Sequence, residues 1–94
     1  MLNKVILIGR LTRDPEVRYT QSGKAVTTFD LAVDRSVANA QGQRETDFIP
    51  IVTWGKLAET CGNYLNKGRL VAVDGRPQIR SYETQDGQKR RVAE

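Results

Sequence analysis

One stretch breaks a chain that is otherwise patterned as strands. Up to residue 54 the apolar residues recur mostly at every second position, the period of a strand whose side chains alternate between faces. From Gly55 the spacing changes. Leu57, Cys61, Tyr64 and Leu65 fall at i, i+4, i+7 and i+8, an amphipathic helix of about three turns. Lys67-Gly68 is expected to close it, glycine being favoured just past a helix end. A single helix set among short strands restricts the fold to very few architectures.

The strands on either side are read from period and turn residues. "NKVILIGRL" (residues 3–11) is a first strand, and Gly9 inside it suggests a bulge or sharp bend. "TRDPEVRYTQSGKA" reads as a loop, with Asp14-Pro15 and Ser22-Gly23 as turn signals. "KAVTTFDLAVDR" (residues 24–35) alternates cleanly, with Ala25, Thr27, Phe29, Leu31 and Val33 on one face and Thr28, Asp30 and Asp34 on the other. After the polar connection "SVANAQGQRE" comes a third strand, "TDFIPIVTW", where Pro50 demands an edge or a bulge. "RLVAVDGRPQIRSYET" is a fourth strand kinked around Gly75 and Pro77. Asp86-Gly87 is a hairpin turn leading into a fifth, "QKRRVAE". The order β-β-β-α-β-β matches an all-β OB-fold, a five-stranded Greek-key barrel with one short helix between strands 3 and 4.

Composition removes whole classes of function. At 94 residues the chain is one domain with a small core, so self-association is expected. There is no histidine, which removes the commonest general base and the commonest metal ligand together. The one cysteine, Cys61, can build neither a disulfide framework nor a thiolate metal site alone, and it falls on the apolar face of the helix. Carboxylates such as Asp30, Asp34, Glu45 and Asp47 show no metal-ligand spacing, and there is no glycine-rich phosphate loop. No enzyme, metal or cofactor is expected. No apolar run could span a bilayer, and the N-terminus lacks the features of a signal peptide, so a cytoplasmic protein is expected. The net charge of +4 points, weakly, to a polyanionic partner.

The third strand is apolar on both faces. Ile49 and Ile51 share one face; Phe48, Pro50, Val52 and Trp54 share the other. Along the fourth strand Arg76, Gln78, Arg80 and Tyr82 share parity, so two guanidiniums and a phenol fall on one side. If both strands belong to one barrel wall, the rings and cations line a common groove. Unpaired bases expose flat π-faces that aromatic rings can stack on, while cations track the phosphates. Stacking contributes about 1–3 kcal/mol per base, so three rings supply roughly 3–9. Neutralising about four phosphates makes binding weaker by about 2 kcal/mol between about 50 and 200 mM salt. Each residue also has a plainer reading: Trp54 and Phe48 as core, Tyr82 as a rim residue, the arginines as solvated surface. Their joint pattern favours single-stranded nucleic acid over duplex, because "GKLAETCGNYLNKG" is no arginine-bearing recognition helix.

The stretches "MLNKVILIGRLTRDPEVRYTQSGKAV", "FDLAV", "ETDFIPIVTWGKLAE", "YLNKGRLVAVDGR" and "YETQDGQKRR" resemble the bacterial single-stranded DNA-binding proteins over essentially the whole chain. The resemblance implies an OB-fold subunit of a homotetramer that wraps single-stranded DNA with little sequence preference, nucleoid-associated, in replication, recombination and repair. It implies base stacking on Phe48, Trp54 and Tyr82, and basic contacts from Lys4, Arg10, Arg18, Lys56, Lys67, Arg80 and Arg90. Arg76 joins this set from strand parity. Val37 stands where some relatives carry a further stacking aromatic. Relatives also continue into a Gly/Pro/Gln-rich tail whose acidic, apolar tip recruits replication and repair proteins. This sequence ends at "RRVAE", so the expectation is a 1–94 DNA-binding domain that recruits such partners poorly. A competing expectation is an accessory OB module of the tailless primosomal kind, whose exposed aromatics meet a protein.

Overall fold

The computed structural model describes the backbone of residues 2–83 and 89–93 and the side chains of residues 2–78. The strands are β1 (Val5–Leu11), β2 (Glu16–Tyr19), β3 (Ala25–Ala38), β4 (Arg44–Trp54), β5 (Leu70–Gly75), β6 (Ile79–Glu83) and β7 (Lys89–Ala93). The helix α1 (Gly55–Tyr64) lies between β4 and β5. Among the described residues all strand pairings are antiparallel.

The long strand β3 organises the main sheet. Along one edge it pairs with β4, from Val26 opposite Trp54 to Asp34 opposite Thr46. Its other edge is shared: β2 takes Ala25 to Thr28, and β1 takes Leu31 and Ala32. The far side of β1 carries β5, from Val5 opposite Gly75 to Arg10 opposite Leu70. β6 and β7 form a separate two-stranded sheet with Tyr82 opposite Arg90.

The clean alternation of β3 does what its period requires. Ala25, Thr27, Phe29 and Leu31 are buried, joined by Leu11, Ile51 and Cys61, with Leu7, Val33, Ile49, Leu65, Val71 and Val73 packed around them. The helix covers this face beside Thr27, whose fully buried hydroxyl donates to the Ala58 carbonyl at 2.6 Å. Gly9 marks a close approach. A Cβ there would collide with the carbonyl of Ala32, so only glycine lets β1 cross β3 at this point.

Several expectations need correction. The loop expected after the first strand contains β2, a four-residue strand hairpinned onto the start of β3. The polar connection after the second strand is shorter than expected: β3 runs on through Ser36, Val37 and Ala38. The turn at 39–43 is held by the Asn39 side chain, which accepts the backbone N–H groups of Gln41 and Gln43. The fourth strand is two strands, interrupted at residues 76–78. Leu57 and Tyr64, expected on the buried helix face, are 60% and 71% exposed; Ala58 and Cys61 are the buried positions. The helix is closed by Leu65, whose N–H reaches the Cys61 carbonyl, and Gly68 serves a later turn at φ +86. Pro50 behaves as anticipated, since β4 pairs with β3 alone among the described strands. The Asp86-Gly87 turn lies outside the described residues.

Candidate nucleic-acid interface

Because cross-strand partners share a face, the register states what surrounds each ring. Phe48 stands opposite Ala32, Ala32 opposite Arg10, and Arg10 opposite Leu70, so one row crosses four strands. Trp54 stands opposite Val26, and Val26 opposite Arg18, a second row across three strands. The two rows lie six residues apart along β4, about 20 Å at the usual strand rise. Phe48 is 68% exposed and Trp54 53%. The core reading of both rings is excluded: the opposite face of β4, through Ile49 and Ile51, serves the core.

The chain turns into the helix directly after Trp54. Gly55 adopts φ +64, a conformation glycine tolerates at little cost, so the ring sits at the junction of β4 and α1. Lys24, just before β3, places its ammonium 5.5 Å from the Trp54 ring centroid.

The expected cations are not equally free. Lys4 Nζ lies 3.3 Å from an Asp74 carboxylate oxygen. Arg10 Nη1 donates to the Gly68 carbonyl at 2.9 Å, and Arg18 Nε donates to Glu16 at 2.7 Å. Lys56, on the first turn of α1, and Lys67, in the turn before β5, are exposed. The Lys67 backbone N–H donates to Asp14. Arg76 is exposed, but it lies between β5 and β6 rather than in a strand, so the parity argument that grouped it with Arg80 and Tyr82 lapses. The side chains of Arg80, Tyr82 and Arg90 lie outside the described ones; their backbones fall on the paired strands β6 and β7.

Sequence reasoning missed Lys24, which shares parity with Val26; that Val26 is the partner of Trp54 is known only from the register of β3 and β4. It also missed that acids interrupt the face. Glu16 and Asp30 share it, each beside an arginine, Arg18 for Glu16 and Arg13 at 3.4 Å for Asp30. At the hairpin end, Val37 is exposed, and Arg35 bridges Glu45 and Asp47 at 2.8 and 3.0 Å. Cys61 is buried, as its helix position implied.

A small antiparallel β fold with one helix, whose outer sheet face carries two exposed rings in rows shared with arginines, defines a module of the OB class. The comparisons narrow this. The model of the single-strand binding protein family matches residues 2–94. The single-stranded DNA-binding protein of Bacillus cereus (strain ATCC 14579) is 60% identical over 94 residues, covering 100% of this chain and 55% of that one. Single-stranded DNA-binding protein A of Bacillus subtilis (strain 168) is 57% identical over the same length, again with 55% of its chain covered. Among solved structures, the Plasmodium falciparum SSB complex with ssDNA superposes with a TM-score of 0.92 at 31% identity. That match covers 100% of this chain and 84% of the other. The chain belongs to the single-strand binding protein family, and it spans about half the length of the curated relatives it matches.

Proposed function

We propose that the protein binds single-stranded DNA without sequence specificity, in replication, recombination and repair, by stacking bases on Phe48 and Trp54 while lysines and arginines track the phosphates. The observation that carries this reading is the exposure of both rings on one face of β4, in rows shared with Arg10 and Arg18. Two large apolar rings held in water add nothing to the core and leave apolar area to be covered by a ligand, and an unpaired base is a flat apolar surface of matching size. Tyr82 is assigned the same role from the family resemblance, with Lys4, Lys56, Lys67, Arg76, Arg80 and Arg90 as phosphate contacts. The role is binding, without catalysis.

The working unit is a homotetramer. Ile6, Ile8 and Leu70 stand exposed on the outer face of β1 and β5, an apolar patch of the kind that marks an association surface. Recruitment of replication and repair proteins belongs, on the family resemblance, to an acidic-tipped tail; none of it is assigned to residues 1–94.

Titration of oligo-dT of increasing length at two salt concentrations, with duplex DNA as control, tests the reading. Length-dependent binding to oligo-dT with little affinity for duplex is expected. Weak oligo-dT affinity beside one stoichiometric protein partner would instead favour an accessory module whose rings meet a protein.

A further inference from the structure

Among the cations in the rows of the two rings and beside them, Lys24 is held differently. Arg18 grips a carboxylate and Arg10 a backbone carbonyl, whereas the partner of Lys24 is the Trp54 ring itself. Its stem reaches the ring over Gly55: the Lys24 Cε lies 3.9 Å from where a side chain at that glycine would begin. The φ of +64 at Gly55 favours glycine here, which keeps that path open. Lys24 itself is exposed.

We propose that Lys24 is a phosphate-contacting residue of the Trp54 subsite. In the free protein its ammonium rests on the ring and holds the indole in place. When a base stacks on Trp54, the phosphate attached to that nucleotide comes within reach of the same ammonium. The four-carbon stem swings it from the ring to the phosphate oxygens. A cation already gathered at the ring needs little further ordering, which favours binding. A nucleotide at Trp54 is thus met on two sides, ring against base and ammonium against phosphate. The inference rests on the reading of Trp54 as a stacking platform.

The chain has one tryptophan, so its fluorescence reports this subsite alone. Wild type, Lys24→Met and Lys24→Arg are titrated with oligo-dT over a salt series, with circular dichroism as the folding control. Methionine keeps an apolar stem over the ring and removes the charge. The expected result is undiminished quenching at saturation in Lys24→Met, with the slope of log K against log salt reduced by about 0.7 for each occupied Trp54 subsite. Lys24→Arg restores the slope. An unchanged slope, or tighter binding by Lys24→Met at every salt concentration, would overturn the proposal; the second result would make Lys24 a cover that bases must displace. If wild type binds oligo-dT with no quenching, bases do not stack on Trp54, and the subsite and this inference fall together.

Discussion

Phe48 and Trp54 stand on the same face of β4, six residues apart, and both rings are more than half exposed, while Ile49 and Ile51 between them turn into the core. An edge strand that shows large rings to water on one side and buries aliphatics on the other is working on both faces. Since neither ring supports the core, removing both should leave the fold intact. Phe48→Ala with Trp54→Ala is expected to weaken oligo-dT binding by about 2–6 kcal/mol, from about 1–3 per stacked base. Fluorescence anisotropy with a labelled oligomer measures it; an affinity equal to wild type would remove stacking as the binding term.

The crossing of β1 over β3 depends on a missing side chain. Gly9→Ala is expected to cost about 3 kcal/mol, because the atom it would meet is the Ala32 carbonyl, a backbone group that cannot rotate away. Gly75→Ala, whose new Cβ meets nothing closer than 4.0 Å, serves as the comparison and should unfold close to wild type in urea. Equal midpoints for the two variants would show that β1 can shift to make room.

Thr27 joins the sheet to the helix through its buried hydroxyl. Thr27→Val keeps the branched shape and deletes the donor, leaving the Ala58 carbonyl with one fewer partner away from water. A loss of about 1–2 kcal/mol is expected in denaturant unfolding. DNA affinity measured well below the unfolding midpoint should not change, since Thr27 lies on the face opposite the rings.

Acid stability carries a contribution from the hairpin end. Hydrogen bonds from the Arg35 side chain hold the Asp47 carboxyl below its ordinary value of 3.8, with Coulombic attraction adding and partial desolvation opposing. A carboxyl depressed on folding stabilises fully above the unfolded value, and the gain disappears as pH falls through the lower folded-state value. The Arg35 guanidinium is raised in turn, chiefly by the hydrogen bond to Asp47, and it stays charged throughout the acid range, so the protonation of Asp47 sets where the pair is lost. In Arg35→Gln the Asp47 midpoint, followed by carboxyl carbon NMR, should move up toward 3.8. An unmoved midpoint would mean the pair does not form in solution.

The exposed aliphatic row of β1 is expected to hold subunits together. Ile8→Asp should shift the protein toward smaller species in sedimentation velocity, because burying a carboxylate in an apolar contact is costly. Retention of the wild-type assembly would place the interface elsewhere.

Much of this was legible from residue order. The alternation in β3 named its buried face, since a half-buried strand must hide every second side chain; parity put Phe48 and Trp54 on one face of β4, and the structure showed that this face is the outer one. β2 left little trace, because Glu16-Val17-Arg18-Tyr19 is mostly polar and gains its strand character from pairing with β3. The helix face was misjudged in part: Cys61 and Leu65 do meet the core, but Leu57 and Tyr64 fit the same period and point to water, while Ala58 takes the buried place beside Cys61. Which set turns inward depends on where β3 lies, and the small Ala58 is what lets the helix come close enough for Thr27 to reach its carbonyl.

Local periodicity and turn residues determined the run of strands broken by one helix and the buried side of β3, because those properties are set within a few residues of chain. Tertiary structure alone decided the neighbours: Arg10 in the row of Phe48, Arg18 in the row of Trp54, Lys24 over its ring, and the acids that partly neutralise the face. Register between segments distant in sequence follows from how the whole core packs, and no short window of residues contains that information.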